Sequence, residues 1–140
     1  MPKSSKMPIR DIYLIHESGL VLVSRHYHNG DTQPDIIGGF FIAMANFVEQ
    51  MMGESIQEIK LDQHMIVYKK IGPIFAALVT EPKNITKRQM TILIKSILSN
   101  FFDEYVVYLE EGLIEPSMFS GFGTSLDKII SANYSLKNVF

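Results

Sequence analysis

The chain has 140 residues, which fits one domain with room for a genuine core. Its net charge of -2 gives no bulk drive toward nucleic acid or anionic membrane, and the absence of cysteine excludes disulfides, thiolate catalysis and thiolate zinc sites. No uninterrupted apolar run approaches the ~20 residues of a membrane span, so the expectation is a cytoplasmic protein that meets membranes, if at all, peripherally through partners.

The opening residues, MPKSSKMP, carry charge but no apolar run of secretory type, so residues 1–8 are expected to be a disordered tail before a single domain over 9–140. Ile9 to His16 is β-rich, and its middle, Ile12-Tyr13-Leu14-Ile15, is apolar on both faces. Glu17-Ser18-Gly19 is a turn, and Leu20 to Tyr27 completes a hairpin. His28 to Gln33 is a polar loop leading to Pro34, which suits the first turn of a helix.

That helix, Pro34 to Gly53, is apolar over about 200° of its circumference, roughly twice what one packed face needs. Ile37, Phe41, Met44, Val48 and Met51 form the stripe assigned to a sheet. Ile36, Phe40, Ala43 and Phe47 form a second stripe beside it, and Ile42 is left on the solvent side with Gly39, Asn46, Glu49 and Gln50. The second stripe must meet a partner chain or a loop of its own chain, such as His28 to Gln33.

Ser55 to Asp62 alternates apolar with charged residues, as an edge strand with one wet face does. His64 to Lys70 is a further strand closed by Gly72-Pro73, and Ile74 to Val79 is apolar without alternation, as a doubly covered strand is. Thr86 and Gln89 have capping-box spacing, with Ile85 and Met90 placed as a hydrophobic staple, and the helix they open should run from Lys87 to about Glu110 and stop at Gly112. Its core stripe is Met90, Ile94, Ile97, Phe101, Tyr105 and Tyr108, widened by Leu93, Leu98 and Leu109. A loop follows, pinned by Leu113, Met118, Phe119 and Phe122. Thr124 and Asp127 are spaced to cap a short last helix carrying Leu126, Ile129, Ile130 and Tyr134. The doubly apolar first and fifth strands belong at the centre of the sheet, and the alternating third at its edge. The fold class is therefore α+β: a five-stranded antiparallel sheet of order 2-1-5-4-3, with one helix on one face and two on the other.

This ββαβββαα order resembles the longin and roadblock group of profilin-like domains. Within it the arrangement is similar to longin, because roadblock domains place a helix before the first strand. The residues that carry the resemblance are Ile12-Tyr13-Leu14-Ile15 with Gly19-Leu20, the helix GGFFIAMANFVEQMMG, the meander from Gln57 to Glu81, and Phe119 and Phe122 before the final helix. The resemblance implies a non-enzymatic, dimerising scaffold in small-GTPase regulatory or vesicle-trafficking complexes. Its partner would be a second copy or another longin or roadblock chain, with a small GTPase as a further candidate. In such a layout Ile36, Phe40, Ala43 and Phe47 lie where a second subunit docks. The resemblance carries over no catalytic or cofactor-binding residue.

Motifs for chemistry are sparse. There is no phosphate loop, so the chain is not itself a GTPase; Gly38-Gly39 reads as a close backbone approach to the sheet or a partner helix. His26 and His28 share a strand face and could reach one metal, with Asp31, His16 or His64 as a third ligand, but exposed strand-end histidines are the favoured reading, and no metal or cofactor is assigned. Arg25, as an arginine finger, and the basic cluster Lys83, Lys87 and Arg88 are weaker partner-contact candidates. Glu110-Glu111 and Asp103-Glu104 read as solvated surface. The alternative function is a small-molecule-sensing domain of profilin or PAS type, lined by some of the eight methionines.

Overall fold

A computed structural model describes residues 7–28 and 34–139, apart from the side chains of residues 34–37 and 134–139. Five strands, β1 (Ile9–His16), β2 (Val21–His26), β3 (Glu58–Lys60), β4 (Met65–Ile71) and β5 (Ile74–Thr80), form one antiparallel sheet of order β2-β1-β5-β4-β3. Three helices, α1 (Pro34–Met52), α2 (Lys87–Glu110) and α3 (Phe122–Val139), complete the chain. The order, the antiparallel pairing and the central β1–β5 pair are those expected from the sequence. None of the described helices is long and apolar enough to cross a membrane.

Strand periodicity sorts the side chains into two cores. Ile12 and Leu14 of β1 join Ile74, Ala76 and Leu78 of β5 beneath α2 and α3. Tyr13 and Ile15 join Ala77 and Tyr68 beneath Phe41 and Ile42 of α1. A register shift between Ile9 and Asp11 lets Ile9 enter the same core as Ile12, three residues on. Met7 packs against that core, and the Pro8 carbonyl accepts the Glu81 N–H at 2.9 Å.

The α2 start forms as its spacing requires: the Gln89 amide donates to Thr86 Oγ1 at 3.1 Å, and the Thr86 amide donates to Gln89 Oε1 at 2.7 Å. Met90, Leu93, Ile94, Ile97, Leu98, Phe101 and Tyr105 are buried. Tyr108 departs from the expected stripe. At Tyr105 the backbone leaves helical geometry (φ -120°, ψ 17°), and past that kink Tyr108 is exposed, its ring edge-on to Phe119. In the following segment Phe119 and Phe122 are fully buried against Phe101 and Tyr105, and Met118 packs beside them. Leu113 does not help to pin it: Gly112 takes a left-handed turn (φ 75°) and leaves Leu113 exposed. The last helix is longer than expected and begins at Phe122, because burial of its ring sets the start; Thr124 and Asp127 lie inside the helix rather than capping it.

The seat of α1 corrects the sequence assignment. A Cβ on Gly38 would lie 2.6 Å from the Gly19 carbonyl oxygen and 2.5 Å from Val21 Cγ2, so α1 rests backbone-close on the β1–β2 turn. That contact rotates Gly38, Phe41, Ile42 and Ala45 toward the sheet. Ile42, expected in solvent, is buried; Met44 and Val48 are half-buried, and Met51, expected inside, is exposed. Gly39, by contrast, has open space around its Cβ position. Gly38→Ala should therefore destabilise the protein by about 1–3 kcal/mol through overpacking. Gly39→Ala should stabilise it by about 0.5–1 kcal/mol through helix propensity. Urea denaturation of the two variants checks this, and a neutral Gly38→Ala would contradict the seat described.

Candidate functional site

With Gly38, Phe41, Ile42 and Ala45 toward the sheet, the opposite pole of α1 follows from the ~100° step per residue. It carries Phe40, Ala43, Phe47 and Met51. Phe40 is 59% exposed, Phe47 63% and Met51 68%. Ala43 is exposed too; the side chain of Ile36, the fourth residue of the predicted stripe, lies outside the described residues, as does that of Ile37. The helix carries two charged residues: Glu49, which the helical step puts nearer the sheet-facing side, and Asp35, whose side chain lies outside the described residues. Among the described side chains its outward pole is thus uncharged and mainly apolar, with Gln50 at its rim, where a surface helix of a monomer normally carries charge. The loop weighed as an internal cover for this stripe has residues 29–33 outside the described residues; among the described residues, Phe40 and Phe47 stay open.

The weaker candidates are spread apart. Arg25 is engaged within the chain: its Nε donates to Asp127 Oδ1 at 3.1 Å and its Nη2 to Asp127 Oδ2 at 2.6 Å, a bidentate fork. The Tyr27 hydroxyl donates to the same Asp127 Oδ1 at 2.5 Å. A Cβ on Gly123 would lie 3.1 Å from the guanidinium, so a glycine there gives Arg25 its place. A finger role would require breaking this fork. At the start of α2, Lys87 reaches Glu58 of β3 at 2.9 Å and holds the Glu58 carboxyl below its usual range. Lys83 and Arg88 are exposed beside it. Asp103, Glu104, Glu110 and Glu111 are exposed, as expected.

The two histidines depart from expectation. His26 and His28 are not exposed but half-buried, and they converge on Asp11, which is 5% exposed. His26 Nδ1 lies 2.7 Å and His28 Nε2 2.8 Å from the same oxygen, Asp11 Oδ1. Of the third ligands weighed from sequence, His16 bonds Ser18 in the hairpin turn, His64 is not part of the cluster, and Asp31 lies outside the described residues. Asp11 was missed because only the strand register, which pairs Asp11 with His26, brings it there.

Two clefts bear on ligand binding. One, of about 150 Å³, lies between α1 and the sheet, lined by Ala45, Asn46, Glu49, Ile56, Tyr68 and Phe75. The buried Tyr68 hydroxyl has no protein partner among the described residues, and burial raises its pKa well above the ordinary value. The other, of about 250 Å³, runs between the start of β1, α2 and α3.

No family model and no curated protein matches the chain. Among solved structures it is similar to the gliding protein MglB from Thermus thermophilus at 18% identity, over 54% of this chain and 62% of that one, with a TM-score of 0.46. It is similar to "MglB with tetrameric arrangement" at 17% identity, over the same shares and at the same TM-score of 0.46. A Roadblock/LC7 domain from Streptomyces avermitilis matches at 12% identity, over 54% of this chain and 68% of that one, with a TM-score of 0.43. The matches to the two MglB structures thus span less than two thirds of those chains.

The Arg25–Asp127 fork has a pH signature. Arg25 first, then Tyr27, hold the Asp127 carboxyl below its ordinary value of 3.8. A folded-state value below the unfolded one contributes stability above the unfolded pKa, and that stability is lost as pH falls through the folded value. Asp127→Asn should therefore be less stable than the parent at pH 7, with the gap narrowing as pH drops below about 4. Urea midpoints of the pair at both pH values check it.

Proposed function

We propose that this chain is a non-enzymatic, dimerising interaction module of longin type, and that the outward pole of α1 is where a second chain of the same fold docks. The observation that carries the reading is the uncharged apolar pole itself, with Phe40 and Phe47 more than half exposed on a helix whose other side already serves the core. Burying one such side chain is worth about 1.5–3 kcal/mol. A face without charge is also self-compatible in a two-fold arrangement, where each residue meets the same surface on its partner.

The resemblance to longin domains supplies the proposed setting, an assembly that regulates a small GTPase or works in vesicle trafficking. Lys83 and Arg88 are the basic contacts offered to a further partner there. Arg25, held by Asp127, is a poorer one. The small-molecule-sensing alternative draws support from the unpaired Tyr68 hydroxyl, but the cleft beside it, at about 150 Å³, falls well below the ~300 Å³ at which ligand pockets begin.

Solution mass across a concentration series, by light scattering, tests the reading. The parent should shift from monomer to dimer, and Phe40→Glu should remain monomeric with an unchanged circular dichroism spectrum, since the ring it replaces is exposed. A parent that stays monomeric at high concentration and captures no chain of the same fold would sink the proposal.

A further inference from the structure

We propose that Asp11, His26 and His28 form a binding site for a first-row divalent cation of zinc type. The inference is independent of the α1 interface. It begins with strand geometry: Asp11 sits directly opposite His26 in the β1–β2 register, and His28, two residues further, returns to the same face. The three side chains offer two imidazole nitrogens and one carboxylate oxygen, all within 4.8 Å of one another. Two imidazoles and a carboxylate are a set that zinc accepts with a water in the fourth position.

The distances fit after a small adjustment. Donors bound tetrahedrally at about 2.0–2.1 Å from a zinc ion stand about 3.3 Å apart. The present N···O separations, 2.7 and 2.8 Å, are hydrogen bonds, so a cation replacing the bridging protons would open each by about half an ångström. The His26 side chain is 25% and the His28 side chain 17% exposed, so the site borders solvent, from which a cation and its water can enter. Asp11 is the fixed member: its side chain is 7% exposed, and its second oxygen lies 3.4 Å from Arg10 Nε. Tyr13 packs its ring edge-on to His26 at 5.5 Å, walling the inner side of the site.

A buried carboxylate serving two imidazoles is also the arrangement of a purely structural hydrogen-bonded triad. The two differ in what they bind. Nitrogen-rich donors select zinc, nickel and cobalt over magnesium and calcium, which require oxygen shells. A hydrogen-bonded triad selects none of these.

The test uses the full chain without a histidine tag, stripped by chelator and titrated calorimetrically with Zn²⁺, with elemental analysis after dialysis. The expected result is one equivalent of zinc per chain, undisturbed by excess Mg²⁺, and a melting temperature that rises with zinc. His28→Gln should weaken binding at least ~10-fold and abolish the thermal shift while keeping the parent's circular dichroism spectrum. Because Asp11 is buried and its replacement risks the fold, a second readout is the visible spectrum of the Co²⁺ complex, which should show tetrahedral bands in the parent and lose them in His26→Gln. Absence of stoichiometric zinc uptake by the parent overturns the proposal. So does parental affinity in a folded His28→Gln, or binding that instead depends on His16 or His64.

Discussion

The structure depends on the antiparallel pairing of β1 with β5 at the middle of the sheet, both strands apolar on both faces. Such a pair is unstable with either face wet, so the chain must supply a helical layer to each side. The two layers are unequal. The side under α2 and α3 holds the larger core, closed by the ring cluster of Phe101, Tyr105, Phe119 and Phe122. Among the described residues the other side is covered by α1, which contributes Phe41 and Ile42 as its buried apolar side chains, with Ile56 packed beside them.

That inequality shapes the candidate interface. A helix seated through a glycine and two large side chains uses a narrow part of its circumference, and α1 is apolar over far more than that. The excess is displayed on the pole furthest from the sheet. It costs stability in the isolated chain, because apolar side chains left in water forgo their transfer free energy, and it is recovered when a second surface covers them.

The polar groups gather at the end of β2, and strand alternation divides them cleanly. Arg25 and Tyr27 turn toward α3 and close on Asp127; His26 and His28 turn toward the α1 side and close on Asp11. Four consecutive residues thus tie one strand end to α3 on one side and to the neighbouring strand β1 on the other. The first tie is a bidentate ion pair that resists acid less well than neutral pH. The second is the donor set proposed to take a cation.

Much of this was legible in the residues themselves. The unbroken apolar runs of Ile12 to Ile15 and Ile74 to Val79 placed those strands at the centre, and the alternation around Ile59 placed β3 at the edge. Thr86 and Gln89 marked the start of α2 to the residue. These features are local: burial on both faces, a wet face and a cap each leave their pattern within a few positions. What only the tertiary structure decided was rotation and register. A helix apolar nearly all round does not declare which side faces the sheet; the contact of Gly38 with Gly19 and Val21 decided it and moved Ile42 inward. Likewise, fifteen positions of chain separate Asp11 from His26, and 102 separate Arg25 from Asp127, so only strand pairing and helix packing could bring them within hydrogen-bond reach.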